Sequence, residues 1–324
     1  MIQTGQSNRE QQHQDMPQAV GIVMYHGVVR SPLTVADWCF LAEPVFRSQL
    51  KYLKDHFELI PLSAAVVRMQ ERSILRPTIA ITFDDGFQNN YEVAFPVLCE
   101  EGLPATIFLT TGLIDTNDTV WFCRLNRALA NTRLALLDWD GCRFDVSGIE
   151  AKAKASSAIQ NRLKAYPQPR LSTELREIIL ELGDDPEAPI EVDSPYRMLS
   201  GQAIAAMTAT GLIEVGAHTC SHAILSLLSP QERKAEIEQS LDAVRRLTGR
   251  PCNLFAYPNG RREDYDQDSI RILKTLGVHT CVTAIEGLND TMTSSMELKR
   301  YGIGGDLALN DFELLIQPLL HKVG

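Results

Sequence analysis

Two short stretches of this sequence hold residues able to do chemistry. In "TIAITFDDG" an apolar run ends in adjacent carboxylates, Asp84 and Asp85, followed by Gly86. In "LIEVGAHTCSH" a second apolar run ends in His218 and His222. Adjacent carboxylates repel each other unless a cation lies between or beside them, so this pair calls for a metal or an arginine. Taken alone, Asp-Asp-Gly is also an ordinary turn. If the chain turns into a helix after the second run, His218 and His222 project from one face, the spacing that two ligands of one metal need. The HExxH pattern is absent, because Thr219 follows the first histidine, and Cys220 would point away from the shared face. Histidine is scarce, seven in 324 residues, which gives a pair at a strand end more weight. Two further strand ends deserve note: "GIVMYHGV" closes on His26, and "NLFAYPNG" closes on the turn formers Tyr257, Pro258, Asn259 and Gly260.

Six short apolar or β-branched runs deliver these residues: "AVGIVMYH", "TIAITF", "ATIFLT", "LIEVGAH", "NLFAYP" and "VHTCVTA". Between them lie "EPVFRSQLKYLKDHF", "YEVAFPVLCEEG", "SPQERKAEIEQSLDAVRRLTG" and "DSIRILKTLG", with apolar residues at helical spacing. Alternating strand and helix predicts a parallel sheet, open or closed into a barrel, with its sites at the C-terminal ends of the strands. Gly102, Gly249 and Gly277 fit helix stops, and Ser229-Pro230 fits a helix start. From about 121 to 201 the rhythm breaks into polar, helix-like stretches, which read as an insertion. Residues 1–18 read as a flexible leader, and 19–324 as a single domain carrying that insertion.

Composition narrows the function classes. A net charge of -10 argues against nucleic acid, which needs clustered Lys and Arg. No run approaches the roughly 18 apolar residues of a membrane span, leaving at most peripheral membrane contact. The seven cysteines lack any CxxC and read as free thiols, which, with no signal-peptide pattern, predicts a cytoplasmic protein. Oligomeric state is left open.

Together, "TFDDG", "HTCSH" and "FAYPNG", in that order, resemble the polysaccharide deacetylases of the NodB-homology type, carbohydrate esterase family 4, from about Val20 to Leu307. The resemblance implies an α/β fold, an irregular (β/α) barrel of about seven parallel strands with a mostly helical insertion. It implies a divalent metal, zinc or another divalent transition metal, held by Asp85, His218 and His222. Asp84 then becomes the general base, and Tyr257, Pro258 and Asn259 line the substrate site. Usual members take their acid from a C-terminal Leu-x-His, whose nearest match here is His321. The early "YH" instead is similar to the circularly permuted branch that includes poly-N-acetylglucosamine deacetylases, which makes His26 the acid. A satisfied core histidine is the competing reading for His26, and it fits His56 and His279 better.

Two departures follow. Ala256 stands where the family often has an arginine beside the base, so Arg300 or Arg261 is expected to tune Asp84. The family's Asp-Trp motif is missing after "FAYPNG"; Asp37-Trp38 either stands in for it under permutation or, the favoured reading, is a surface pair flanking a helix. The implied activity is metal-dependent removal of N-acetyl groups from N-acetylhexosamine-containing glycans or glycan precursors. The alternatives are a deformylase or other amidase on a lipid-linked or small substrate, and a noncatalytic glycan-binding relative; the presence of Asp84 argues against the last. Trp121 and Phe122 fit sugar stacking and core packing equally well.

Overall fold

The structure is a computed structural model that describes residues 19–321; the leader expected at 1–18 lies outside the described residues. Its strands, in chain order, are β1 (Val20–Tyr25), β2 (Gly27–Val29), β3 (Phe40–Ala42), β4 (Glu58–Leu59), β5 (Thr78–Phe83) and β6 (Ala105–Leu109), then β7 (Leu136–Trp139), β8 (Cys142–Asp145), β9 (Ile213–Ala217), β10 (Leu254–Ala256), β11 (Thr280–Val282) and β12 (Tyr301–Gly302). The main sheet runs β11-β10-β9-β6-β5-β1-β12, seven strands on one path, with β4 beside β5. Every pairing along it is parallel. The circuit also returns to its start, because Leu298, just before β12, bridges Val282 of β11 in parallel. This is the expected irregular barrel, closed at one seam by a bridge and two flanking hydrogen bonds, Leu298 N–H to Cys281 O and Thr283 N–H to Leu298 O.

Burial on both faces explains the continuous apolar runs. Every residue of β1 and β5 is buried, as strands covered on two sides require. Residues of one parity, Val23, Tyr25, Ile79, Ile81 and Phe83, pack outward against the helices. Those of the other parity, Ile22, Ala80, Phe108, Ala256 and Val282, meet across the barrel interior. Outside lie amphipathic helices such as Glu43–His56, which buries Phe46, Leu50 and Leu53. Helix Pro230–Thr248 begins with a Ser229/Glu232 capping box and stops at the left-handed Gly249, as the sequence predicts.

Register then sets the site. β1 and β5 pair over their whole length, from Val20 with Thr78 to Tyr25 with Phe83. They therefore end flush, and His26 and Asp84 leave the sheet side by side. In the same way Leu109 pairs with Ala217 and Ala217 with Phe255, which brings His218 and the β10 turn to the same rim.

The insertion has its own core, built from Leu125, Leu129, Ile159, Leu163, Leu175 and Ile178 of helices Trp121–Asn131, Ile149–Leu163 and Gln168–Glu181. It is not helical throughout: β7 and β8 form an antiparallel hairpin across Asp140-Gly141. Both turn residues have positive φ, the two-residue hairpin geometry that Asp-Gly favours.

Candidate active site

Asp84 continues the interior parity of Ala80 and Thr82, so its carboxylate points into the barrel. There it meets Arg300, which donates from Nη1 to Oδ1 at 2.7 Å and from Nη2 to Oδ2 at 2.6 Å. Arg300 is itself 1% exposed. It is held by further donations to Thr283 O at 2.7 Å and Thr82 Oγ1 at 3.2 Å. Burial by itself would push the Asp84 carboxyl up, but the Arg300 guanidinium, helped by His218, outweighs it and holds Asp84 well below the usual carboxylate range. Half of the question raised by the adjacent carboxylates is thereby answered by an arginine.

Asp85 turns the other way. Its backbone is left-handed, φ +70°, a conformation Asp tolerates better than most residues. The turn swings the second carboxylate off the parity of the first and toward the histidines. Fully buried, neither of its oxygens has a hydrogen-bond partner. His218 Nε2 lies 3.6 Å from Asp85 Oδ1, and His222 Nε2 lies 3.3 Å from it. Burial lowers the pKa of both imidazoles and raises that of the Asp85 carboxyl, which the nearby Asp84 charge raises further. Two neutral imidazoles facing a donorless carboxylate make no ion pair; their ligand atoms, all within 4.8 Å of one another, fit around a cation. The donor set of two imidazoles and one carboxylate suits zinc and similar divalent ions and leaves coordination positions free. His218 is oriented by its Nδ1 contact with Ala256 O at 2.8 Å.

The "HTCSH" stretch is a loop and not a helical turn. Thr219 and His222 both have positive φ, +62° and +59°, and this folds the chain back so that the two rings sit 4.9 Å apart. A β-branched residue in that region is strained, and the surroundings hold it. Thr111 and Gly112 donate their N–H groups to the carbonyls of Thr219 and Cys220. Glu236 accepts from the N–H groups of Cys220 and Ser221 and from Ser221 Oγ. Gly112 is required here, since a Cβ would lie 2.7 Å from Cys220 O.

His26 borders the same cavity as Asp84, Asp85, His218 and His222, a space of about 60 Å³. Its ring packs edge-on against Trp38 at 4.7 Å, and its buried Nδ1 has no partner. Burial pushes its pKa down to about 4, while the Asp84 charge pulls the other way.

A family model for polysaccharide deacetylases matches residues 72–281, more than half of the chain. The chain belongs to the polysaccharide deacetylase family. A Bacillus subtilis (strain 168) protein described as a polysaccharide deacetylase, YxkH, is 31% identical over 97 residues, 29% of this chain and 33% of that protein. The chain thus spans a third of the curated relative it matches. Three solved structures share the fold. The deacetylase PplD of Streptococcus pyogenes, in complex with acetate, has a TM-score of 0.61 at 19% identity, over 93% of this chain and 99% of that one. IcaB from Ammonifex degensii has 0.59 at 16%, over 93% and 97%. The Bacillus cereus polysaccharide deacetylase BC0361 has 0.59 at 18%, over 93% and 69%.

Within this family member the other predicted residues are placed as follows. Asn259 lines the cavity, its left-handed turn pinned by donation from Nδ2 to Asp264. Tyr257 does not line it: the ring stacks on Tyr265 at 4.0 Å, the hydroxyl donates to Met296 O, and the residue belongs to the outer core. Pro258 is not among the lining residues either. Arg300, and not Arg261, takes the place left by Ala256. Phe122 lines the cavity 5.5 Å from the His222 ring, with Trp121 packed edge-on behind it. Asp37-Trp38 does not flank a helix but sits in the turn before β3: Trp38, though 45% exposed, walls the cavity with one side, and Asp37 accepts from Asn126 and from Cys39 N–H. His56 and His279 are exposed rather than core histidines. Sequence reasoning missed Gln160 and Lys164, which reach the cavity from the insertion. Nothing in their local sequence marks them, since both sit on a polar helical stretch.

Proposed function

We propose that this chain is a metal-dependent amide hydrolase that removes N-acetyl groups from N-acetylhexosamine-containing glycans or glycan precursors. The observation that carries the reading is the convergence, at one rim of the barrel, of a donorless carboxylate with two neutral imidazoles and, beside them, an arginine-held carboxylate facing a histidine. Asp85, His218 and His222 would hold the divalent ion, zinc by the chemistry of the set. Such an ion, when bound, polarises a carbonyl and acidifies a water.

The remaining roles fall to the chain's own groups. Asp84, kept ionised and fixed in orientation by Arg300, accepts the proton that the attacking water loses as its oxygen joins the acyl carbon. His26 rests as a neutral imidazole at neutral pH, beside an Asp84 charge that favours its protonated form. The proton that Asp84 takes from the water passes to His26, and the resulting imidazolium delivers it to the departing nitrogen as the C–N bond breaks, so that amide and water become carboxylic acid and amine, which leave as carboxylate and ammonium. Trp38 and Phe122 wall the cavity in which these transfers occur. The seven cysteines are all free, which supports a reducing compartment such as the cytoplasm. Among the described residues no helix is long and apolar enough to cross a membrane.

The test is release of acid from a panel of N-acetylated and N-formylated sugars and oligosaccharides, with acetate and formate resolved. Zinc-dependent, chelator-sensitive acetate release is expected, and Asp84→Asn should keep zinc while losing at least 100-fold in rate. Formate in place of acetate would make the protein a deformylase, and near-normal turnover in Asp84→Asn would remove the base assignment.

A further inference from the structure

The cavity holds an ammonium that makes no hydrogen bond or ion pair among the described residues. Lys164, at the C-terminal end of the insertion helix Ile149–Leu163, lines the space that contains Asp84, Asp85 and His26. The acidic groups near it are already matched. Asp84 is held bidentately by Arg300. Asp37 accepts from Asn126 and Cys39 N–H, and Asp264 from Asn259 and Arg261 N–H. Asp85 is matched to the cation that its two histidines complete. Among the described residues, the Lys164 ammonium itself has no hydrogen bond or ion pair. Lys164 is part-buried and lines the cavity with His26, His222 and Asp85, and burial lowers its pKa.

An ammonium partly withdrawn from water without a partner costs some free energy in the empty protein. That cost, met on folding, is recovered when an anion enters, so the site is preorganised for one. A cation held by Asp85, His218 and His222 adds a second positive charge to the same space and strengthens the preference. Lys164 enters the cavity from the insertion together with Gln160 and Phe122, the last packed against the His222 ring, so a substrate whose acyl group reaches Asp84 and Asp85 also meets residues of the insertion.

We propose that Lys164 is a specificity-determining residue that selects amide substrates bearing a carboxylate or phosphate group close to the reacting N-acyl group. This deepens the amide-hydrolase reading and rests on it for the word substrate, but the anion site is testable by binding alone. The probes are N-acetylglucosamine, its 1-phosphate, its 6-phosphate and the corresponding uronate, titrated calorimetrically into the zinc-loaded full chain, the wild type beside Lys164→Met and Lys164→Arg. Circular dichroism and unfolding midpoints establish that the variants are folded.

At least one anionic probe is expected to bind about tenfold or more tighter than the neutral sugar, as one charge-assisted hydrogen bond supplies. Lys164→Met should abolish that preference and Lys164→Arg retain it. A response confined to the phosphates or to the uronate identifies which anion the site takes. The proposal is overturned if no anionic probe outbinds N-acetylglucosamine, or if the preference survives Lys164→Met, which would assign it to the metal alone. A Lys164-dependent preference without acid release from any probe would sustain the anion site and overturn the hydrolase reading.

Discussion

Arg300→Met is the perturbation that most directly interrogates the barrel interior. The substitution removes two charge-assisted hydrogen bonds to Asp84 and the donations to Thr283 O and Thr82 Oγ1. Breaking a fully buried pair from one side strands the other charge, which costs about 3–5 kcal/mol. Asp84→Asn strands the guanidinium instead, at a similar cost. Were the two residues independent, the double variant would lose the sum, about 6–10 kcal/mol. If they compensate each other as the geometry requires, the double variant loses little more than either single one, a coupling of about 3 kcal/mol or more. Urea unfolding of the four metal-free proteins at pH 7 measures this. Costs that add to within about 0.5 kcal/mol would refute the pairing and the electrostatic account of Asp84 built on it.

The same substitution has a kinetic consequence. Without Arg300, burial dominates and raises the Asp84 pKa, so the carboxyl is protonated at neutral pH and cannot accept the water's proton. Arg300→Met is therefore expected to lose most of the activity although Arg300 lines no part of the cavity. Arg300→Lys keeps the charge but loses the two-pronged fork, and should recover only part of it.

Two further outcomes follow from buried groups. Metal-free Asp85→Asn should be at least as stable as the metal-free wild type at pH 7, because Asp85 is a buried carboxylate without a donor. It should lose the rise in melting temperature that zinc gives the wild type; a clear destabilisation of the metal-free variant would contradict the cation fit. His26 is the pH-sensitive case: its folded pKa, about 4, lies below the ordinary 6.5. The unfolded chain therefore takes up this proton first as pH falls. Stability is unaffected by His26 above pH 6.5 and drops by about 3 kcal/mol across the window from 6.5 to 4. In His26→Gln that part of the acid slope should vanish in urea unfolding of the metal-free protein, and turnover should fall more than zinc content. Equal slopes in both proteins would mean that His26 is not buried neutral.

What could be read from the sequence was whatever burial writes into consecutive residues. The six runs that became β1, β5, β6, β9, β10 and β11 are apolar because both their faces are covered. The polar residues that end them are therefore conspicuous, and Asp84, Asp85, His218 and His26 were found that way. Features set by a single backbone angle were not legible in the same way: the left-handed Thr219 and His222 made a loop where i, i+4 spacing suggested a helix. The β7–β8 hairpin did carry a signal, Asp140-Gly141 between alternating buried and exposed residues, but it was submerged in the polar composition of the insertion. β2, β3, β4 and β12, two or three residues each, are too short for any periodicity.

Long-range partners are illegible for a different reason. Arg300 lies 216 positions from Asp84, and Lys164 and Gln160 reach the rim from an insertion with a core of its own. Only closure of the barrel brings these chain segments together. That closure also explains why Ala256 does not leave Asp84 without a partner. Asp84 faces the interior, where Ala256, Phe108 and Leu298 meet, and a guanidinium can arrive there from any strand whose parity points inward. Here the Leu298 bridge that completes the ring sits two residues before Arg300 and aims it at the carboxylate. The seam that closes the fold and the charge that keeps Asp84 ionised are thus the same stretch of chain, so a change that loosens Leu298 should disturb Asp84 before it disturbs Asp85, His218 and His222.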